Sequence, residues 1–366
     1  MIKFNDLTLI HLPLLNDFKL DLEKSVLESD FVLGESVAVF ESRLAFSEKV
    51  KHVVSVSSGT SALELILRKL NINKDSKIII PAMTFTATAF APVNLGAQVV
   101  VCDINLSTGN MDPVQLALLI NSDVSVVIFV SLHGRLDGLE DIAAICKKYN
   151  VVLIVDGAQS QGSYLNNKSI GEYCYAYTLS FYPGKNLGTL GEGGAICTNS
   201  ESLAIEISQA RNWGVSTDRY HSQFWGGNYR LPTLQARFLS TKLNYLGDWV
   251  HQRRIIAKEY ERNLPQTLLL AEPKHENHHS YHVYSILVEE RDKYISEFKK
   301  SNIGYSFHYP RAIPEHEYYR SKVLDPLGFP NSKIWAKNQL SLPIYPGLKN
   351  NEIEYICEVI NSLHGS

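Results

Sequence analysis

The chain has 366 residues, of which 45 % are hydrophobic and 20 % charged, and its 35 basic and 38 acidic side chains leave a net charge of −3. This composition is typical of a globular protein with one large or two modest domains, and it excludes a disordered chain. The balanced charge gives no general attraction to nucleic acid or to an anionic membrane. The five scattered cysteines form no CxxC pair, so neither a disulfide framework nor a zinc site is expected.

The N-terminal segment lacks the basic-then-apolar pattern of a signal peptide. No apolar run reaches the roughly 18 residues that a membrane-spanning helix needs. We therefore expect a cytoplasmic protein with no membrane and no nucleic-acid partner.

Short apolar segments rich in valine and isoleucine are predicted to be strands. They lie at 53–57, 77–80, 98–103, 124–131, 151–155, 175–180 and 194–198. None alternates cleanly between apolar and polar residues, which indicates strands covered on both faces. Helical patterns at 60–70 and 138–149 fall between them. The alternation predicts an α/β fold with a mostly parallel, seven-stranded sheet flanked by helices.

The pattern changes beyond residue 235. Segment 233–263 is predicted to be a long helix in which Gly247 is a candidate break. A short strand at 282–288 and helices at 291–300 and 351–362 follow, which is typical of an α+β unit. We therefore expect a large domain over 1–240 and a linking helix with a small α+β domain over 241–366.

Three segments that follow predicted strands carry candidate chemistry, because ligands of parallel sheets bind at the carboxyl ends of the strands. The first is Ser58-Gly59-Thr60-Ser61, which opens a helix. Its glycine allows close backbone approach, and the helix N-terminus offers free N–H groups to an anion. No GK[ST] follows, so this is not a Walker A loop. The segment is either a phosphate cradle or a plain helix cap.

The other two segments carry an acid and an amine. Asp156 ends the strand 151–155, where a buried carboxylate requires a cation or hydrogen bonds. It is either a structural cap or a partner for a positive ring nitrogen. Lys185 lies among glycines just after the strand 175–180, where partial burial would lower its pKa and free the amine to form an imine. The alternative is a loop charge or a point charge on a phosphate.

An anion cradle, an acid and an amine together are the three contacts that pyridoxal 5′-phosphate needs. The same chain contains the motifs SGTSAL (58–63), PAMTFTATA (81–89), VDGAQSQGS (155–163), SFYPGKNLGTLGEGGA (180–195), GGNYRLPTLQA (226–236) and FHYP (307–310). In these motifs and their order it resembles the fold-type I pyridoxal-phosphate enzymes, and among them the nucleotide-sugar aminotransferases of the DegT/DnrJ/StrS group. The resemblance covers nearly the whole chain.

The resemblance implies a role for each matching residue. Lys185 would hold the cofactor as an imine and move the proton, and Asp156 would pair with the pyridinium nitrogen. The other cofactor contacts would be Gly59, Thr60, Ser61 and Ser180 at the phosphate, Phe85 on the ring face, Gln159 at the 3-oxygen, and Asn228 from the neighbouring subunit of a homodimer. Substrate contacts would come from Tyr182, His308, Tyr309, Arg311 and His316, although polar residues at such positions can equally belong to solvated loops.

The resemblance also implies a reaction. Relatives with histidine at the position of Lys185 dehydrate the sugar, so lysine here implies transamination. The amine of L-glutamate would pass to a nucleotide-linked keto-sugar, and the YPGKNLG form of the lysine loop favours C3 of a dTDP-3-keto-6-deoxyhexose. The alternatives are a 4-keto-sugar aminotransferase, a cyclitol aminotransferase and, in a different class, a non-catalytic pyridoxal-phosphate-binding regulatory protein. The segment 131–135 (SLHGR) departs from the family pattern, which leaves open whether His133 and Arg135 contact the site.

Overall fold

The computed structural model describes residues 1–216, 218 and 220–364. The strands are β1 His52–Val56, β2 Lys77–Pro81, β3 Gln98–Cys102, β4 Val124–Val130, β5 Val152–Asp156, β6 Ala176–Ser180, β7 Gly194–Thr198, β8 Tyr284–Leu287, β9 Val323–Leu324 and β10 Gln339–Leu342. The helices are α1 Leu7–His11, α2 Leu15–Leu27, α3 Glu35–Glu48, α4 Gly59–Lys69, α5 Thr86–Asn94, α6 Pro113–Leu119, α7 Leu139–Tyr149, α8 Glu201–Ala210, α9 Thr233–Leu243, α10 Leu246–Asn263, α11 Arg291–Lys300, α12 Pro330–Asn338 and α13 Asn350–Leu363.

Eight strands form one sheet in the order β1-β7-β6-β5-β4-β2-β3-β9. All neighbouring pairs are parallel except those of β7, which runs antiparallel to both β1 and β6. The predicted α/β fold with a mostly parallel sheet is confirmed. The sheet has one strand more than predicted, because the two-residue strand β9 arrives from far along the chain and is too short to show an apolar pattern.

The two faces of the sheet are both buried, which is why its strands do not alternate. In β2, Ile78 and Ile80 pack into one apolar cluster and Ile79 into another on the opposite face. All three side chains are completely buried. Helices therefore cover both faces, and chemistry is confined to the ends of the strands.

The predicted long helix 233–263 is two helices, α9 and α10. The break lies at 244–245 and not at Gly247, which belongs to the first turn of α10. At the break, Asn244 accepts a hydrogen bond of 2.6 Å from Arg43 of α3. This contact joins residues distant in the sequence, so a local pattern could not reveal it.

The C-terminal part has its own apolar cluster. Its β8–β10 ribbon contributes Ile286 and Leu340, and α10, α11 and α13 pack around the same cluster. Ile2, from the other end of the chain, also packs there. The division into domains at 240/241 stays a prediction. None of the described helices is long and apolar enough to cross a membrane.

The strand β7, which pairs with β1, passes very close to the start of α4. A Cβ atom on Gly194 of β7 would lie 2.3 Å from the carbonyl carbon of Ser58 and 2.6 Å from the amide nitrogen of Gly59. Both are backbone atoms, so they cannot rotate away. Glycine at 194 thus lets the sheet and the beginning of α4 approach each other.

We expect Gly194→Ala to lower the free energy of unfolding by about 2 kcal/mol, within the ~1–3 kcal/mol that overpacking costs. Gly247→Ala is the matched control, since a Cβ there meets no atom within 4 Å. Alanine is a better helix former than glycine by about 1 kcal/mol, so this control should be at least as stable as the wild type. Urea denaturation followed by circular dichroism measures both. Equal stability of the two variants would contradict the packing described.

Candidate active site

A cavity of about 630 Å³ lies at the carboxyl ends of the central strands. Its walls come from the segments after β1, β2, β5 and β6, from the N-terminal segment, and from the C-terminal part. Of the predicted site residues, those that line it are Gly59, Thr60, Phe85, Asp156, Gln159, Ser180, Tyr182, Lys185, His308 and Tyr309. Predicted residues as far apart in the sequence as Gly59 and Tyr309 are thus brought to one pocket.

Asp156, the last residue of β5, is buried in the wall of this cavity, with 7 % of its surface exposed. Its Oδ2 accepts a hydrogen bond of 2.7 Å from the Thr88 hydroxyl, and its Oδ1 accepts one of 3.2 Å from the amide of Ala158. Burial raises the pKa of Asp156, and the hydrogen bond from Thr88 opposes that rise. A ligand cation beside this carboxylate would stabilise its charged form.

Lys185 lies half-buried in the loop after β6. Its amide donates a hydrogen bond of 2.9 Å to the carbonyl of Tyr182, which closes a tight turn. Burial lowers the pKa of Lys185 from 10.5 to about 8, and the negative charge of Asp156 acts in the opposite direction. About a tenth of the amine is therefore neutral, and so nucleophilic, at pH 7, which is far more than at the ordinary lysine pKa.

The N-terminus of α4 forms one end of the cavity. Ser58 and Ser61 form a reciprocal capping box, in which the Ser58 hydroxyl accepts from the amide of Ser61 at 3.1 Å and the Ser61 hydroxyl accepts from the amide of Ser58 at 2.9 Å. Gly59 and Thr60 line the cavity, whereas Ser61 does not. A Cβ on Gly59 would lie 3.0 Å from Cβ of Ser180, so glycine permits this close packing. The predicted phosphate contact of Ser61 stays a prediction, since its hydroxyl is engaged in the cap.

Gln159 connects the large sheet to the C-terminal part. Its Nε2 donates to the hydroxyl of Tyr309 at 3.0 Å, and its Oε1 accepts from the backbone amide of His133 at 2.6 Å. Tyr309 in turn lies 5.7 Å, centroid to centroid, from the ring of Phe85. Burial raises the pKa of Tyr309, which therefore remains a protonated phenol. Gln159, Tyr309 and Phe85 thus form a connected part of the cavity wall.

His308 lines the same cavity. Its Nδ1 lies 2.7 Å from the hydroxyl of Ser341, and burial lowers its pKa to about 4, so the ring is neutral at physiological pH. A neutral imidazole can accept or donate a hydrogen bond without repelling the amine of Lys185.

The remaining predicted residues lie outside the cavity. Asn228 is exposed, and its Oδ1 accepts a hydrogen bond of 2.9 Å from Arg230. Arg311 lines a separate open cleft with Arg291 and Lys333, and His316 lies beyond it. The roles predicted for Asn228, Arg311 and His316 stay predictions.

The segment 131–135 supports the site without lining the cavity. His133 is buried and holds Gln159 through its backbone amide. Arg135 forms a buried ion pair with Asp137 at 2.7 Å, and its guanidinium donates to the carbonyl of Glu272 at 3.0 Å. Arg135 therefore holds the segment around Glu272, which leads into the C-terminal part.

Sequence reasoning did not single out Phe4, Asn5, Thr88 or His282. Phe4, Asn5 and His282 line the cavity, and Thr88 holds Asp156 from the first turn of α5. Thr88 lies within the motif 81–89, which is a signal that could have identified it. No local pattern marks the other three, because only the fold brings them to the pocket.

The chain is similar to known proteins over nearly its whole length. A sequence model of the DegT/DnrJ/EryC1/StrS aminotransferase family matches residues 15–361. A dTDP-3-amino-3,6-dideoxy-alpha-D-galactopyranose transaminase of Aneurinibacillus thermoaerophilus is 35 % identical over 363 residues, which cover 99 % of each chain. A "pleiotropic regulatory protein" of Geobacillus stearothermophilus is 34 % identical over 343 residues, 93 % of this chain and 92 % of the relative.

Solved structures show the same fold. A DegT DnrJ EryC1 StrS aminotransferase from Brucella abortus superposes with a TM-score of 0.95 at 30 % identity and covers 100 % of both chains. The NtdA protein of Bacillus subtilis, solved with bound cofactor PMP, gives a TM-score of 0.86 at 25 % identity over 95 % of this chain and 81 % of its own.

The family model spans nearly the whole chain, and the Aneurinibacillus relative aligns with 99 % of the chain. The predictions of an aminotransferase and of pyridoxal phosphate as its cofactor are confirmed. The arrangement of Lys185 and Asp156 in one cavity fits that cofactor, since it sets an amine and an acid in a single pocket. The chain belongs to the DegT/DnrJ/EryC1/StrS aminotransferase family.

Proposed function

We propose that this protein transfers the amine of L-glutamate to a nucleotide-linked keto-sugar, with pyridoxal phosphate as cofactor. The observation that carries the proposal is the presence of the Lys185 amine and the Asp156 carboxylate in one cavity, each with a pKa displaced by burial. Displaced pKa values in a cleft are characteristic of catalytic groups. When bound, the cofactor supplies an electron sink that stabilises negative charge on the carbon next to the amine.

Each of the cavity residues would have a separate role in binding the cofactor or moving a proton. Lys185 Nζ would bond the cofactor's aldehyde carbon and, once released, carry a proton. Asp156 would keep a proton on the ring nitrogen, because its buried charge favours a cation. Gly59 and Thr60 would bind the phosphate at the N-terminus of α4, with Ser180 beside them.

The substrate class comes from the relatives. The Aneurinibacillus relative is named for a dTDP-linked 3-amino-3,6-dideoxy sugar, and it matches this chain over its full length. The lysine loop, YPGKNLG, favours the same position of amination. We therefore propose a dTDP-3-keto-6-deoxyhexose as the acceptor, with Tyr182, His308 and Tyr309 as contacts, in a cytoplasmic enzyme.

A non-catalytic regulatory role is the second candidate, and the name of the Geobacillus relative favours it. Regulation by itself does not require a half-buried amine beside an acid. The enzymatic proposal explains both groups, and amine transfer is the property that distinguishes the two candidates.

Lys185→Ala should lower turnover by at least about a thousandfold, since the group that holds the cofactor and moves the proton is lost. Lys168→Ala, an exposed lysine, is the matched control and should keep wild-type activity. The assay has two steps. Glutamate should first convert the visible band of the loaded enzyme to the near-ultraviolet band of the amine form, and a panel of nucleotide-linked 3-keto and 4-keto sugars should then restore the visible band.

If glutamate leaves the visible band of the loaded wild-type enzyme unchanged, amine transfer from glutamate is contradicted. Restoration by 4-keto sugars alone would move the proposed reaction from C3 to C4. Full activity of Lys185→Ala would overturn the mechanism.

Attachment of pyridoxal phosphate to the apoenzyme should accelerate with rising pH, with a midpoint near 8, because only the neutral amine of Lys185 attacks. Asp156→Asn removes a negative charge that raises the pKa of Lys185, so the midpoint should move to lower pH. Asp248 is an exposed acid, so Asp248→Asn should leave the midpoint unchanged. Stopped-flow absorbance gives the rates. A midpoint near the ordinary lysine value of 10.5 would contradict the burial of this amine.

A homodimer with shared sites is proposed from the family resemblance, in which Asn228 reaches the partner's phosphate site. The exposure of Asn228 and its place outside its own cavity are compatible with this role. Asn228→Ala and Lys185→Ala should each be impaired. When they are unfolded together and refolded, random pairing should restore about a quarter of wild-type activity, because half of the dimers then hold one intact site. Activity no greater than the sum of the separate variants would contradict a shared site.

A further inference from the structure

The N-terminal segment, residues 2–6, contributes to the wall of the cavity and is anchored at both ends. Ile2 forms a parallel bridge with Ile303, in which the amide of Ile2 donates to the carbonyl of Asn302 at 2.9 Å and its own carbonyl accepts from Gly304 at 2.7 Å. At the other end Asp6 caps α1, as its Oδ1 accepts from the amide of Thr8 at 3.1 Å.

The C-terminal part packs closely against this segment at Gly304. A Cβ on Gly304 would lie 2.3 Å from the amide nitrogen of Phe4, so only glycine allows the two chains to lie so close. Lys3 and Asp6 form an ion pair at 3.0 Å on the outer side. Phe4 and Asn5 are therefore held between two fixed points, which makes them a defined wall of the cavity.

Phe4 and Asn5 both line the cavity that holds Lys185. The ring of Phe4 stacks on His308, with centroids 5.9 Å apart and an interplanar angle of 26°. The Nδ2 of Asn5 donates to the carbonyl of Gly184, the residue before Lys185, over a long distance of 3.5 Å. Asn5 thus lies at the reacting-amine end of the cavity.

The carboxamide of Asn5 has hydrogen-bonding capacity to spare. Its Oδ1 is buried and has no hydrogen-bond partner among the described residues. Its Nδ2 carries two donors and uses one of them in the long bond to Gly184. Because an unsatisfied buried amide destabilises the protein, such a group in a pocket wall is suited to a polar group of the ligand.

We infer that Asn5 is a specificity-determining residue, whose carboxamide hydrogen-bonds a ring hydroxyl of the sugar next to the carbon that receives the amine. The inference rests on the proposed function, which places the reacting carbon at Lys185. A hydroxyl both donates and accepts, and so it complements the free donor and acceptor of the amide. The family model begins at residue 15, so this wall lies outside the part of the chain that the family model matches.

The test is binding of a stable amino sugar to the pyridoxamine-phosphate form of the holoenzyme, where two amines cannot react. The probes are dTDP-3-amino-3,6-dideoxyhexose and two counterparts, each lacking the hydroxyl at one ring carbon beside the amine. Asn5→Ala should weaken binding of the fully hydroxylated sugar by about tenfold, as expected for the loss of one hydrogen bond. It should not weaken binding of the counterpart that lacks the recognised hydroxyl. Titration calorimetry gives the dissociation constants.

Two further variants separate recognition from a loosened segment. Lys3→Ala breaks the ion pair with Asp6 without touching the cavity, and it should bind all three sugars like the wild type. Asn5→Asp preserves the shape and one acceptor, so it should retain discrimination between the sugars. Conversion of the loaded enzyme by glutamate should keep its wild-type rate in Lys3→Ala, because Lys3 does not line the cavity.

The outcomes that overturn the inference are distinct from those that overturn the proposed function. If the wild type binds the sugars and Asn5→Ala weakens all three equally, Asn5 has a structural role only and the inference is wrong. If the wild type binds none of the sugars and transfers no amine to them, the proposed function fails, and the assignment of Asn5 falls with it.

Discussion

The buried carboxylate of Asp156 is the constraint around which the rest of the site is organised. It lies at the end of a strand covered on both faces, where removal from water raises its pKa. The Thr88 hydroxyl and the Ala158 amide stabilise its ionised form, and a bound cation would complete that stabilisation. The same withdrawal from water lowers the pKa of Lys185, so one low-dielectric pocket prepares an acid and an amine together.

A second layer of contacts holds this pocket in shape. Gln159 bonds to Tyr309 on one side and to the backbone of His133 on the other, which joins the sheet to the C-terminal part. The buried pair of Arg135 and Asp137 fastens the chain that leads there. His133 and Arg135 can affect the geometry of the site without touching a ligand. A small displacement of the wall that they support would misplace the reacting groups.

The N-terminal segment and the C-terminal part both contribute to the wall of the cavity. The N-terminal segment bridges to Ile303 and places Phe4 against His308, although about 300 residues separate them in sequence. The strand β5 and the loop after β6 contribute Asp156 and Lys185, while the N-terminal segment and the C-terminal part contribute other walls of the cavity. The candidate reactive groups and much of the surrounding wall thus come from different parts of the chain.

Composition, strand pattern and motifs were enough to predict an α/β fold with a mostly parallel sheet, and to mark Lys185 and Asp156 as candidate site residues. These features are local, because a covered strand is an apolar run and a glycine-rich loop with one lysine can be seen in ten residues. The break between α9 and α10, the strand β9 and the cavity walls at Phe4, Asn5 and His282 depend on contacts between distant residues.

The surroundings of Ser61 are likewise not visible in the sequence. Its hydroxyl is engaged with Ser58, and its predicted phosphate contact stays a prediction. The sequence by itself determined the fold class, and it predicted roles for Lys185 and Asp156, which the fold brings to one cavity. Only the tertiary structure decided which neighbours surround that pair, because burial and hydrogen-bond partners are properties of the packed chain and not of any segment.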